Sequence, residues 1–140
     1  FGPRQDPSSP YSGIISLFSK WIRESSRPTI FGDGKQTRDF VYVADVAQAN
    51  QLAMQAECSE PGPVFNIATG HSIDLLDLWR ACCVAAGVEA REPEFLPERA
   101  GDVRDSIASL AKAKTGLGFA PEIDLATGLV ATLTADSSQG

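Results

Sequence analysis

Apolar residues recur every three or four positions at Ile14, Ile15, Phe18, Trp21 and Ile22, with Lys20, Arg23 and Glu24 lying off the stripe. That spacing predicts an amphipathic helix, with Ser9-Pro10 as N-cap and first-turn proline and Ser25-Ser26-Arg27-Pro28 as its stop. The pattern then changes. Ile30-Phe31 and Phe40 to Val43 are β-branched and aromatic runs flanking the polar turn Gly32-Asp33-Gly34, which reads as strand, turn, strand and carries Arg38 at its edge. Asp45 stands where a second helix begins, with Val46, Ala49, Ala53 and Met54 inward up to about Ala56. Residues 59–63 break it, and Val64 to Ala68 read as a short, fully buried strand that turns out at Thr69-Gly70-His71.

Ser72 is placed to cap a third helix with Leu75, Leu76, Trp79, Cys82, Cys83 and Ala86 on its apolar face, and Gly87 fits the C′ position. Val88 to Ala90 and Glu94-Phe95-Leu96 are further strand candidates, followed by a polar loop from Pro97 to Ser106. A helix from Ser109 to about Thr115 ends at Gly116-Leu-Gly118. Asp124 caps a last helix with Leu125, Leu129, Val130 and Leu133 inward, and Ala135 to Gly140 form a disordered tail. Strands and helices alternate throughout, so the expected class is α/β, a mixed α+β piece.

Composition narrows the function. With 140 residues and 43% apolar content the chain is long enough for a compact core. Its net charge of −6 opposes nonspecific binding to nucleic acid or an anionic membrane, and no apolar run approaches a membrane span. Residues 1–70 carry six basic and seven acidic side chains against six and eleven in residues 71–140, so a small anionic ligand fits the first half better. Three cysteines, Cys58, Cys82 and Cys83, show no paired CxxC spacing, which points to a reducing compartment and to Cys82-Cys83 as small apolar packing residues. The opening Phe1-Gly2-Pro3 lacks an initiator methionine, which suggests a fragment.

Candidate chemistry is sparse. His71 is the only histidine, so neither a metal site nor a nucleophile–base pair has its usual partners, and Gly32-Asp33-Gly34-Lys35 matches no phosphate-loop spacing. Tyr11 and Tyr42 each lack a lysine four positions on. What remains is a pair of arginine-bearing stretches, Thr37-Arg38-Asp39 and Arg99-Ala100-Gly101-Asp102. Two guanidinium groups suit a pyrophosphate and Asp102 suits a sugar hydroxyl, but on spacing alone Arg38 serves equally as a surface ion-pair partner of Asp33 or Asp39.

Four blocks in order resemble the extended short-chain dehydrogenase/reductase family: Phe1-Gly-Pro-Arg-Gln-Asp-Pro7, Phe31-Gly-Asp-Gly-x-Gln-Thr-Arg-Asp-Phe-Val-Tyr-Val-x-Asp-Val46, Phe65-Asn-Ile-Ala-Thr-Gly70 and Gly101-Asp-Val-Arg-x-Ser106. The resemblance covers residues 1–134 and is strongest to UDP-glucose and UDP-N-acetylglucosamine 4-epimerases. It implies the carboxy-terminal, nucleotide-sugar-binding part of an NAD-dependent UDP-sugar 4-epimerase. The Rossmann half that holds NAD and the Tyr-x-x-x-Lys base lie outside these residues, so no catalytic residue falls within the chain, which alone is expected to be inactive. A dehydratase or decarboxylase of the same family, or a non-catalytic nucleotide-sugar-binding module, are the alternatives. Carried over by position, Thr29, Ile30 and Phe31 lie beside the uracil, Arg38 and Arg99 grip the pyrophosphate, Asp102 takes a ribose hydroxyl, and Gly13 lies close to the nucleotide. Ser106 matches a place where a larger side chain, tyrosine in some relatives, excludes an N-acetyl group; its other reading is a turn cap. The resemblance also implies a cytoplasmic homodimer. Two departures stand out: Ser109 where the family usually has aspartate, and Gly116 where a helix former is preferred.

Overall fold

The computed structural model describes residues 1–5, 13–57 and 62–137. The proposed Ser9-Pro10 cap, Tyr11 and Cys58 lie outside them. Among the described residues, five helices and four short strands follow one another as α1 (Ile14–Arg23), β1 (Thr29–Phe31), β2 (Thr37–Arg38), α2 (Val43–Gln55), β3 (Ile73–Asp74), α3 (Leu75–Ala86), β4 (Glu94–Leu96), α4 (Ala111–Leu117) and α5 (Leu125–Ser137). The mixed α/β expectation holds.

Packing divides between two apolar clusters. In the larger, α3 lies against α1 and α5, and Ile15, Phe18, Leu75, Leu78, Trp79, Cys82, Cys83, Leu129 and Leu133 are buried together. Phe18 meets the Trp79 ring edge-on with centroids 5.2 Å apart, a favoured aromatic geometry. Burial pushes the Cys82 and Cys83 thiols up to about 12 and about 11, so both remain protonated packing residues at neutral pH. The smaller cluster joins α2 to α4 through Ala49, Ala113, Leu117 and Phe119, with Leu52, Phe65 and Ile67 against it.

The strands pair differently from the expected hairpin. β1 runs parallel to β4 in the register Thr29↔Glu94, Ile30↔Phe95, Phe31↔Leu96, whereas β2 runs antiparallel to β3. β1 and β2 do not pair because the turn between them is pulled towards α3: the Leu75 N–H donates to Gly34 O at 3.1 Å. Gly34 has φ +73°, and a Cβ there would stand 2.8 Å from Leu76 Cγ, so both backbone and packing require glycine. The Phe40 to Val43 run is not a strand either. It is held instead by Phe1, whose terminal amine donates to Val41 O and whose carbonyl accepts from Val43 N, before α2 begins at Val43.

Other boundaries and faces shift for local reasons. Val64 to Ala68 forms no strand among the described residues; Val64 and Asn66 are exposed while Phe65 and Ile67 are half-buried, so the segment covers the α2–α4 cluster on one side only. Val88 to Ala90 is likewise irregular. Asp74, not Ser72, caps α3 by accepting from Asp77 N at 2.8 Å, since Ile73-Asp74 is drawn into β3; Gly87 closes the helix as expected. Leu52 replaces Ala53 and Met54 on the inner face of α2, and Met54 is 80% exposed. Asp45 lies in the first turn of α2, as expected, and is buried there: its carboxylate accepts from Glu122 N and Ile123 N at 3.0 and 3.3 Å. α4 starts at Ala111, with Ser109 Oγ accepting from Ala111 N at 3.4 Å. Asp124 caps α5 as expected through Thr127 N, but Val130 faces outward and Thr132 is buried in its place, its hydroxyl donating to Gly128 O. α5 continues to Ser137, past the expected start of the tail; residues 138–140 lie outside the described residues.

Gly116 is not a weakness in α4. A Cβ there would stand 2.7 Å from Phe65 Cε1, so the glycine admits the aromatic ring to the helix surface. Alanine gains up to about 1 kcal/mol of helix propensity, while overpacking of this kind typically costs about 1–3 kcal/mol. Gly116→Ala is therefore expected to lower the midpoint of thermal unfolding; an unchanged or raised midpoint would mean that the Phe65 ring slides aside at no cost.

Candidate functional site

A strand in a parallel pair turns the N–H and C=O of alternate residues to opposite edges. Glu94 N donates to Pro28 O and Gly32 N to Leu96 O, so Pro28, Ile30 and Gly32 face β4. Thr29 and Phe31 consequently present their backbone groups to the other edge, where no strand lies among the described residues. That edge borders a cleft of about 300 Å³ walled by Ile14, Thr29, Ile30, Phe31, Gln36, Leu75 and the stretch Arg99 to Asp102.

Loop 97–106 reaches this cleft because it is stitched to β2. Thr37 N donates to Arg104 O at 2.8 Å, Ser106 N donates to Thr37 O at 3.1 Å, and Thr37 and Asp105 form a parallel bridge. The Thr37 hydroxyl adds a 2.8 Å bond to Asp105 Oδ1. Arg99 and Asp102 are thereby carried to the edge of β1, although they are more than sixty positions from it in sequence.

Five of the eight expected site residues, Thr29, Ile30, Phe31, Arg99 and Asp102, line the cleft. Arg38 is tied to it rather than in its wall: its Nη2 donates to Asp102 Oδ1 at 2.7 Å and its Nη1 to Thr37 O at 2.8 Å. Neither Asp33 nor Asp39 is its partner. Asp39 instead collects Thr69 N, the Thr69 hydroxyl and Gly70 N at 2.6–2.9 Å. The Arg99 guanidinium carbon lies over the Phe31 ring, 3.6 Å from its centroid, a cation–π contact that orients the guanidinium without neutralising it. Gly13 is the N-cap of α1, next to the cleft residue Ile14. Ser106 is outside the wall, exposed, and joined to the site by its bond to Thr37.

Two features had no signal in the sequence pattern. Gln36 is 6% exposed and donates through Nε2 to Phe31 O at 2.9 Å, which occupies that carbonyl and fixes the amide so that its buried Oε1 is left without a partner. A polar residue after a glycine turn reads as surface, and only the bond across the turn reveals it. The second is Asp33 with Arg104, joined by two bonds at 2.6 and 3.0 Å. The Arg104 hydrogen bond holds the Asp33 carboxyl down to about 2, with the Lys35 N–H adding to the effect. His71 is exposed in a separate cleft with Phe40 and Ile73, and no cluster of metal-ligating side chains occurs among the described residues. The cleft thus offers an amide edge, the Arg99 guanidinium and the Asp102 carboxylate, with the Arg38 guanidinium bonded to that carboxylate, which together suit recognition of an anionic, hydroxylated ligand.

Residues 1–68 match the profile of the NAD dependent epimerase/dehydratase family. The chain is 37% identical over 133 residues to a UDP-glucose 4-epimerase of Mycolicibacterium smegmatis, covering 95% of this chain and 41% of that protein. Its fold superposes with a TM-score of 0.90 on the UDP-glucose 4-epimerase of Thermotoga maritima solved with UDP-glucose, at 39% identity, covering 99% of this chain and 43% of that one. The same score is reached, at 33% identity and 100% and 44% coverage, with a UDP-N-acetylglucosamine 4-epimerase from Methanobrevibacter ruminantium in complex with UDP-N-acetylmuramic acid. The chain therefore spans about two-fifths of the length of these relatives. Sequence and fold agree in aligning the chain with part of these epimerases, and its residues 1–68 carry the profile of the NAD dependent epimerase/dehydratase family.

Proposed function

We propose that residues 1–134 form the nucleotide-sugar-binding part of an NAD-dependent UDP-sugar 4-epimerase. The observation that carries this reading is the convergence of the open edge of β1, Arg99 and the Arg38–Asp102 pair on one cleft. A pyrimidine with a lactam edge fits the free groups of Thr29 and Phe31, where Phe31 O is already taken by Gln36. Asp102 keeps Oδ2 for a ribose hydroxyl while Oδ1 holds Arg38. Arg38 and Arg99 face the diphosphate, and arginine's five donors let Arg38 bind it without leaving Asp102 altogether. The sugar then lies beyond the phosphates, with Ser106 as the residue that sets the room available to it.

The family's cofactor does not fit these residues. Gly32-Asp-Gly34 runs into β2 and Gly116-Leu-Gly118 closes α4, so neither forms a glycine turn between a strand and a helix N-terminus. NAD and the inversion at C4 are assigned to residues outside this chain, whose own work is to bind and orient. Buried thiols at Cys82 and Cys83 fit a reducing, cytoplasmic compartment, and no helix among the described residues is long and apolar enough to cross a membrane. A homodimer is proposed for the intact enzyme by analogy with the family.

Arg38 is tested by calorimetry of the full-length protein with UDP and with uridine. Arg38→Ala is expected to weaken UDP by roughly 10- to 100-fold while uridine, which lacks phosphates, changes little; an unchanged UDP affinity would make Arg38 a structural ion pair only. Ser106 is tested by turnover of two substrates. Ser106→Tyr is expected to reduce kcat/KM for UDP-N-acetylglucosamine by about 10-fold or more and to spare UDP-glucose; equal losses on both would end the gatekeeper role.

A further inference from the structure

Loop 97–106 has a difficulty built into the proposed mode of binding. Its side-chain tie nearest the cleft, Arg38 to Asp102, is made by the two residues that the nucleotide must also engage. As Arg38 turns to phosphate and Asp102 to ribose, that tie weakens just when the loop needs to be held. At the loop's tip, no atom lies within 4 Å of where a Gly101 Cβ would stand, so packing there does not hold it.

We propose that Asp33 and Arg104 form a latch outside the cleft that keeps loop 97–106 closed over the ligand while Arg38 and Asp102 are occupied. The proposal rests on the nucleotide reading of the cleft. Arg104 forks onto both oxygens of Asp33 at 2.6 and 3.0 Å, and the pair lines a small cavity of about 160 Å³ that shares Phe31, Gln36 and Asp102 with the cleft, whose own wall includes neither Asp33 nor Arg104. Asp33 is a fixed post. Its Oδ1 accepts Lys35 N at 2.9 Å inside the turn, and the turn is anchored by Leu75 N on Gly34 O and by the contact of Gly34 with Leu76. Arg104 is the part on the loop, and its own carbonyl accepts Thr37 N, so a shift of Arg104 pulls directly on the stitch to β2. Both side chains are half-exposed, and a lone exposed pair contributes little to stability. A latch needs only that little, because it biases the rate of loop opening rather than the fold.

The charged groups facing Arg104 are Asp33, Asp105 and Glu98, and Lys35 lies on the same turn as Asp33. Asp33 is depressed to about 2, below its ordinary value near 3.8, so its contribution is complete above about pH 4 and is lost as pH falls through 2. At neutral pH the latch is fully charged.

The test uses full-length protein carrying Arg104→Gln, Asp33→Asn, which keeps the acceptor for Lys35 N, and both together. Stopped-flow dissociation of UDP is expected to quicken about threefold to tenfold in each single variant with association unchanged, and the double variant is expected to be no faster than either single. Amide exchange at Thr37 and Ser106 in the ligand-free protein is expected to rise in parallel. Unchanged dissociation, or additive effects in the double variant, would overturn the latch. A wild type that does not bind UDP would overturn the nucleotide reading and the ligand half of the proposal, and the exchange rates would still decide whether Arg104 holds the loop.

Discussion

The site depends on Thr37. This residue is paired on both edges: β3 lies on one side, and on the other its N–H and C=O engage Arg104 O and Ser106 N. Without that double pairing, the chain leaving β4 at Leu96 has no fixed course before α4, and Arg99 and Asp102 have no defined position. Backbone hydrogen bonds contribute only about 0.5–1.5 kcal/mol each and do not distinguish one register from the next. The side chains do: Thr37 to Asp105, Arg38 to Asp102 and Arg104 to Asp33 are three polar ties that agree on a single alignment of loop and strand.

That alignment also brings two arginines to one region of a protein of net charge −6, as the proposed anion site requires. The two arginines are oriented by different means. Arg38 is held by a carboxylate and a carbonyl, whereas Arg99 is held by the face of Phe31, which positions the charge without an ion pair among the described residues. Screening over about 8–10 Å at physiological salt confines the effect to the cleft, so the acidity of the rest of the surface does not cancel it.

The helices are legible because burial against a core has a 3.6-residue period that the sequence displays; α1 and α3 follow it, while α5 keeps it in Leu125, Leu129 and Leu133 but buries Thr132 in place of Val130. Pairing is another matter. Apolar runs at Ile30-Phe31 and Phe40 to Val43 read as two strands of one hairpin, yet β1 pairs with β4 far along the chain and the second run is held by Phe1. Hydrophobicity reports which residues are covered and not which strand covers them. The same limit applies to Val64 to Ala68, whose alternating exposure is strand-like although no partner lies beside it among the described residues. At the site, cleft residues quoted from the resemblance came together, but Gln36, Asp33 and Arg104 did not announce themselves, because each is defined by a bond across a turn or between distant segments.

The block from Phe31 to Val46 combines the proposed ligand-facing arginine with scaffold, and its charges divide between the two. Only Arg38 turns towards the cleft. Asp39 binds the turn at Thr69-Gly70, and Asp45, buried, binds the backbone ahead of α5. Each of these carboxylates gathers N–H groups from a segment at least thirty residues away in sequence, so the block serves as the hub onto which later parts of the chain dock. The arginine is then aimed by a framework its neighbours create. Loss of either aspartate would strand part-buried donors in the framework around Arg38, so a functional defect at Asp39 or Asp45 is no sign of ligand contact by that residue.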